Sequence, residues 1–227
     1  EKLKGDYLVE NEEDNGHKFG KIGKAGIFLD ISSASVSSNT TTSTTNKIGG
    51  TIFGADADLE IWGTREFWGG LSLSRKFGTL KKEEGTLTND SLSHSMTVLK
   101  LKAGYKYLPM GFFYGPQIDG YLGYGSYTYG TDNQVADGFG EVTFSGILLG
   151  ARGSIPFKKL FRMHISMDFL LAAGYEEDTT IFGDADSSST YSVEAGGSYL
   201  YGPAMTIQSS LGFTSSTAKF KSPARKI

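Results

Sequence analysis

Residues Phe161–Tyr175, FRMHISMDFLLAAGY, decide the fold. The odd positions carry Phe161, Met163, Ile165, Met167, Phe169, Leu171, Ala173 and Tyr175, while the even ones begin Arg162, His164, Ser166, Asp168. A β-strand sends successive side chains to opposite faces. This spacing therefore predicts a strand with one apolar face and one that begins charged and polar.

The same alternation recurs on both sides of that segment. Phe53, Ala55, Ala57, Leu59 and Ile61 share a face, with Asp56, Asp58 and Glu60 opposite. Phe67, Leu71 and Leu73 stand against Ser72, Ser74 and Lys76; Leu99, Leu101, Ala103, Tyr105 and Tyr107 stand against Lys100, Lys102 and Lys106. Further strands are expected over 21–37, 112–128, 139–155, 189–202 and 203–220. Each exceeds the ~5–6 residues usual in soluble sheets, and each is long enough to cross a bilayer at a tilt.

Connections alternate in length. Short turns are expected at 63–66, 108–111, 155–159 and 202–203, and long polar loops at 37–47, 78–94, 130–138 and 176–189. Aromatic residues gather near the short turns: Trp62, Phe67, Trp68, Tyr105, Tyr107, Tyr114, Phe161, Tyr199 and Tyr201. A second set flanks the loops. Amphipathic rings favour the headgroup level, so two such bands read as interfacial girdles.

Composition agrees with this reading. The chain of 227 residues has 31 Gly and only 5 Pro, and its aromatics are dominated by 12 Tyr and 15 Phe. Glycine and aromatics in this proportion favour strands and turns over helices. A net charge of −3 excludes a basic nucleic-acid surface, and the absence of Cys excludes disulfides and thiolate metal sites. No apolar run is long enough for a transmembrane helix. A mean hydropathy of −0.23 is compatible with a barrel, in which only alternate residues meet lipid.

In these strands, turns and girdles the chain resembles the small bacterial outer-membrane β-barrels as a class, over about residues 20 to 220. The resemblance implies an all-β, transmembrane, antiparallel up-and-down barrel of about ten strands, eight being the alternative, with both termini in the periplasm. It divides the chain into a periplasmic segment 1–20, a barrel 21–220 and a tail 221–227. It further implies a Gram-negative cell envelope, with outer-membrane lipid and lipopolysaccharide as surroundings and a protein partner at the exposed loops. Nine strands are readable, and barrels of this class have an even number. The tenth is expected where the C-terminal pattern weakens or where two strands merge.

Inward positions offer Asp56, Asp58, Glu60, Lys76, Lys100, Lys102, Asp119, Arg152, Arg162, His164, Asp168 and Glu194. In a narrow interior each charge needs a partner, so these are expected to form an ion-pair network that largely plugs the lumen. The alternative is a narrow channel for small solutes. His164-Ile165-Ser166 resembles the His-x-Ser element of the outer-membrane lipid A deacylases, which implies a base and a nucleophile with an orienting acid downstream at Glu176, Glu177 or Asp178. The pair shares a face with Arg162 and Asp168, which places it inside, and a non-enzymatic chain without cofactor is expected. Glu176, Glu177, Asp178, Asp184 and Asp186 supply hard oxygen ligands for Ca²⁺ or Mg²⁺ in one loop. A solvated acidic loop is the simpler reading.

Overall fold

The computed structural model describes residues 23–41, 44–64, 66–111, 115–132, 137–158, 160–178, 182–201 and 205–220. Nine long strands account for nearly all of them. They are β1 (Gly23–Thr41), β2 (Thr44–Trp62), β3 (Phe67–Glu84), β4 (Ser91–Tyr107), β5 (Gln117–Thr131), β6 (Val142–Lys158), β7 (Phe161–Glu177), β8 (Ala185–Leu200) and β9 (Thr206–Phe220). Every strand pairs antiparallel with its neighbours in chain order, giving a single up-and-down sheet. The segments 1–20 and 221–227 and the girdle residue Tyr114 lie outside the described residues.

The sheet is curled. Arg152 on β6 reaches Glu60 on β2, with Nη2 to Oε2 at 2.9 Å. The Tyr129 hydroxyl on β5 lies 2.8 Å from that of Ser216 on β9. Strands four places apart touch through side chains only where a sheet bends round on itself. Among the described residues β1 and β9 do not pair, so the fold is an open, half-barrel sheet with two edges. Because nine is odd, β1 and β9 run in the same direction, and antiparallel closure needs one more strand between them. The tenth strand expected from the sequence is not among the described residues.

Strand boundaries differ from expectation chiefly at one end. The Ser/Thr/Asn stretch 37–47 reads as a loop, but β1 and β2 continue through it in register to Thr41 opposite Thr44, with one irregularity at Asn39 and Thr41. Threonine's branched Cβ suits a pleated sheet, whatever its polarity. Similarly, β3 and β4 extend into 78–94. Three hairpins are tied together at this end by two buried side chains. Asn46 donates to the Asp137 carbonyl at 2.9 Å and accepts from the Thr86 amide at 3.1 Å, and the Asp137 carboxylate accepts from the Thr88 amide at 2.9 Å.

One phase error lies inside the decisive segment. Ser145 pairs with Gly174, whereas Ile147 pairs with Leu171, so β7 carries one extra residue there. Such a bulge reverses the facing of everything beyond it. Phe161 to Leu171 keep their odd positions outward, but Ala173 and Tyr175 turn inward and pack on the interior apolar cluster. The apolar face is therefore continuous only as far as Leu171.

Candidate functional site

The concave face is divided along its length. Towards the short turns it is charged; towards the hairpin ends it is apolar. The charged half follows from even positions on β2, β3, β4, β6, β7 and β8 and odd positions on β5, all of which the register brings to one face.

Glu60 and Asp119 form the centre of the lower cluster. Arg152 donates through Nη2 to Glu60 at 2.9 Å and through Nε to Asp119 at 2.8 Å, while its guanidinium sits 5.2 Å from the Trp68 ring centre. Lys24 and Lys106 add contacts to Glu60 at 3.2 and 3.5 Å, and Lys106 lies 3.8 Å from Asp119. The Trp62 indole donates to Glu60 at 2.7 Å. The two carboxylates are almost wholly removed from solvent and each is paired with a cation, as buried charges require, but Asp119 Oδ1 accepts no hydrogen bond and has only Lys106 at 3.8 Å.

One step up, Lys100 and the Tyr121 hydroxyl both donate to Asp168, at 2.6 and 2.5 Å, and Ser192 adds a third contact at 3.3 Å. Tyr121 meets Trp68 edge to face at 5.5 Å, which links the two clusters. Lys102 lies over the Tyr121 ring at 5.4 Å. Lys76 pairs with Asp30 at 2.9 Å. Arg162 donates to the Ser154 hydroxyl and the Gly115 carbonyl, at 2.7 and 2.9 Å. Asp56 and Asp58 lie on the same face of β2 as Glu60.

His164 and Ser166 both face the interior. The carboxylate beside His164 is Glu194, at 3.4 Å on the adjacent strand, and not one of the loop acids 176–178. Glu194 is also the register partner of Ser166. In the acidic loop, Glu177 accepts from the Phe182 and Gly183 amides and from the Tyr175 hydroxyl, which fixes the start of β8. Its oxygens are thus engaged in loop structure. Among the described residues no group of three or more acids or histidines is placed to hold a metal ion.

Two features correct the sequence reading. Trp62 and Trp68, assigned to a girdle by their nearness to a turn, belong to the inner face: Trp68 is buried among Arg152 and Tyr121, and Trp62 hydrogen-bonds Glu60. Phe67, Tyr105, Tyr107, Tyr199 and Tyr201 are exposed on the outer face, and Phe161 packs edge to face on Phe157. Second, the hairpin half of the interior is filled by apolar side chains. One cluster gathers Tyr127, Phe144, Leu148, Leu170 and Phe220, and another gathers Ile48, Ile52, Leu80, Leu92 and Phe139. Sequence reasoning also missed Lys24, Asp30 and Tyr121, and it put Lys106 on the same face as Lys100 and Lys102 without counting it in the ion-pair network. Their alternation with outward residues was the available signal for each.

Between these groups runs a cavity of about 2040 Å³, lined by both faces of β1 and β9 as well as by the concave faces of the other strands. Comparison with protein-family models, curated proteins and solved structures found no match for this chain.

Proposed function

We propose that the chain is an integral outer-membrane β-barrel that serves as a non-enzymatic structural element of the envelope and presents its tied hairpin ends to a surface partner. The observation that carries this reading is the convex face. Large apolar side chains stand exposed on it from β1 to β9, among them Leu29, Phe77, Leu101, Leu122, Ile147, Phe169 and Leu211. Soluble monomers rarely expose contiguous apolar patches beyond a few hundred Å². A sheet with a charged interior and an apolar exterior is arranged for surroundings that are themselves apolar.

The interior supports a non-conducting role. The two apolar clusters occupy the hairpin half, and the cross-lumen pairs Arg152–Glu60 and Tyr129–Ser216 bridge opposite walls. Barrels of about this strand number have interiors that side chains can fill.

The test is membrane extraction followed by conductance. Expressed with an export signal in a Gram-negative host, the protein should resist extraction by carbonate and urea and should migrate faster on gels unheated than boiled. Reconstituted in planar bilayers it should give no steady pore current. Release into the soluble fraction would overturn the membrane reading; stable single-channel steps would replace the structural role with the narrow-channel one.

A further inference from the structure

The convex face carries a shallow trough of about 550 Å³ along β2. Register sets its shape. Ala57 stands between Ile27 on β1 and Leu73 on β3, and one row nearer the short turns Leu59 stands between Ala25 and Leu71. Alanine fills little of its row while its neighbours rise on either side, so Ala57 is the floor and Ile27 and Leu73 are the walls. One row nearer the hairpin ends the pattern repeats, with Ala55 between Leu29 and Arg75. Asp58, which also touches the trough, shares the concave face of β2 with Asp56 and Glu60. The floor lies one strand in from the free edge of β1, so a strand closing the sheet beside β1 leaves it uncovered.

Arg75 is the anomaly of the convex face. It is exposed, and its outward neighbours on β3 are the exposed hydrophobics Leu73 and Phe77. Among the described residues no other charged side chain points outward between two apolar ones on its own strand. Its register partners are Ala55 and Thr97, neither of them an acid, and it forms no ion pair with a described residue. A cation on the lipid face is costly unless it meets an anion or water. On β4 the outward face turns polar at this level, with Thr97 beside Arg75 and Ser95 beyond it. Arg75 thus stands at the border between the apolar belt and the headgroups, at the head of a hydrocarbon trough. A guanidinium grips phosphate oxygens with two parallel N–H donors, a geometry that an ammonium lacks.

We propose that this trough holds one anionic phospholipid, with its phosphate on Arg75, the Thr97 hydroxyl donating to a second phosphate oxygen, and one acyl chain lying over Ala57 towards Leu71. At ~3.3–3.4 Å per residue, Arg75 to Leu71 is about 13 Å of strand. This rests on the membrane-barrel reading, which supplies the bilayer from which the lipid comes. Charge complementarity selects a lipid over a second copy of the chain. Among the described residues the apolar belt of the exterior offers no acid, so a copy docking by that belt would leave Arg75 uncompensated.

The experiment uses the full chain in a non-ionic detergent removable in the gas phase, with dipalmitoyl phosphatidylglycerol as the probe and dipalmitoylglycerol as the chain-matched lipid without phosphate. Native mass spectrometry should show one phosphatidylglycerol per protein and little dipalmitoylglycerol. Arg75→Gln should weaken binding by about tenfold or more, and Arg75→Lys should keep part of it. Ala57→Trp should abolish binding by filling the floor, whereas Leu122→Trp, elsewhere on the convex face, should leave it unchanged. Binding that is unchanged in Arg75→Gln and Ala57→Trp overturns the proposal, as does equal retention of dipalmitoylglycerol. A dimer that Ala57→Trp dissolves, seen in place of the lipid complex, also overturns it and makes the trough a contact between copies. Heat-modifiable migration is recorded for every variant. A wild-type chain that migrates as a folded barrel yet holds no phosphatidylglycerol sinks this site alone, whereas absence of that migration in the wild type removes the barrel reading beneath it.

Discussion

Replacing Arg152 by methionine is expected to destabilise the folded sheet by about 3–5 kcal/mol, the range found when one partner of a buried ion pair is removed. Methionine keeps much of the volume but none of the donors. Glu60 retains Lys24 at 3.2 Å and Lys106 at 3.5 Å, so its charge stays compensated. Asp119 does not fare as well. Its side chain is fully buried, Arg152 supplies its contact at 2.8 Å, and Lys106 stands off at 3.8 Å. The cost should therefore fall mainly on Asp119, and the double variant Arg152→Met/Asp119→Asn should recover a good part of it, because the amide carries no charge to strand. Urea titration of the detergent-folded protein, followed by tryptophan fluorescence, would measure both. Trp68 lies 5.2 Å from the guanidinium and so reports locally. A single-variant loss under about 1 kcal/mol would mean that water, and not Arg152, compensates Asp119.

How far the sequence reveals this arrangement depends on which kind of information each part needs. Alternation alone places all nine strands, because each has a face whose period-two pattern survives for most of its length. The apolar convex face and the inward placing of Glu60, Lys100, Asp119, Arg152 and Asp168 follow from the same parity. Which of these touch does not follow. Arg152 lies 92 residues from Glu60, and their contact depends on how tightly the sheet curls, to which no local pattern speaks. The two tryptophans were misplaced for a different reason. Trp62 has the parity of Glu60 and Trp68 that of Ser72, so the strand rule already pointed inward; nearness to a turn was given more weight than it merits.

The apolar half of the interior hid behind composition. Leu80 and Leu92 occupy inward positions in a segment whose Ser, Thr, Lys and Glu content reads as loop, and Ile48 stands directly after another. Many polar residues there face outward beyond the apolar belt, while the inward positions are largely hydrophobic, with Ser38, Asn46 and His94 as buried polar exceptions. The alternation continues but its sign is inverted relative to the strand centres. The bulge in β7 is a change that alternation cannot detect, since Leu170 to Ala173 are uniformly apolar and either phase fits them equally.

Arginine at Ile165 tests the apolar exterior most directly, and is expected to cost about 2–4 kcal/mol, the value for a cation facing lipid near the midplane. Ile165 stands 52% exposed on the convex face of β7, midway along the outward run from Phe161 to Leu171, and its register partners Gly153 and Ala195 offer no polar group. Tyr199, opposite Phe161 at the short-turn end, is the control. Arginine there should cost only about 0–1 kcal/mol, because a side chain at the interface reaches water. The contrast separates two settings that a single substitution would confuse. In water, both exposed positions would accept arginine with changes within about 0.5 kcal/mol, and Ile165→Arg would even improve solubility. In lipid, depth decides, and the two variants part by 1 kcal/mol or more. Equilibrium folding into phospholipid vesicles measures the difference. Equal and small costs at both sites would sink the membrane reading, however well the strands are placed.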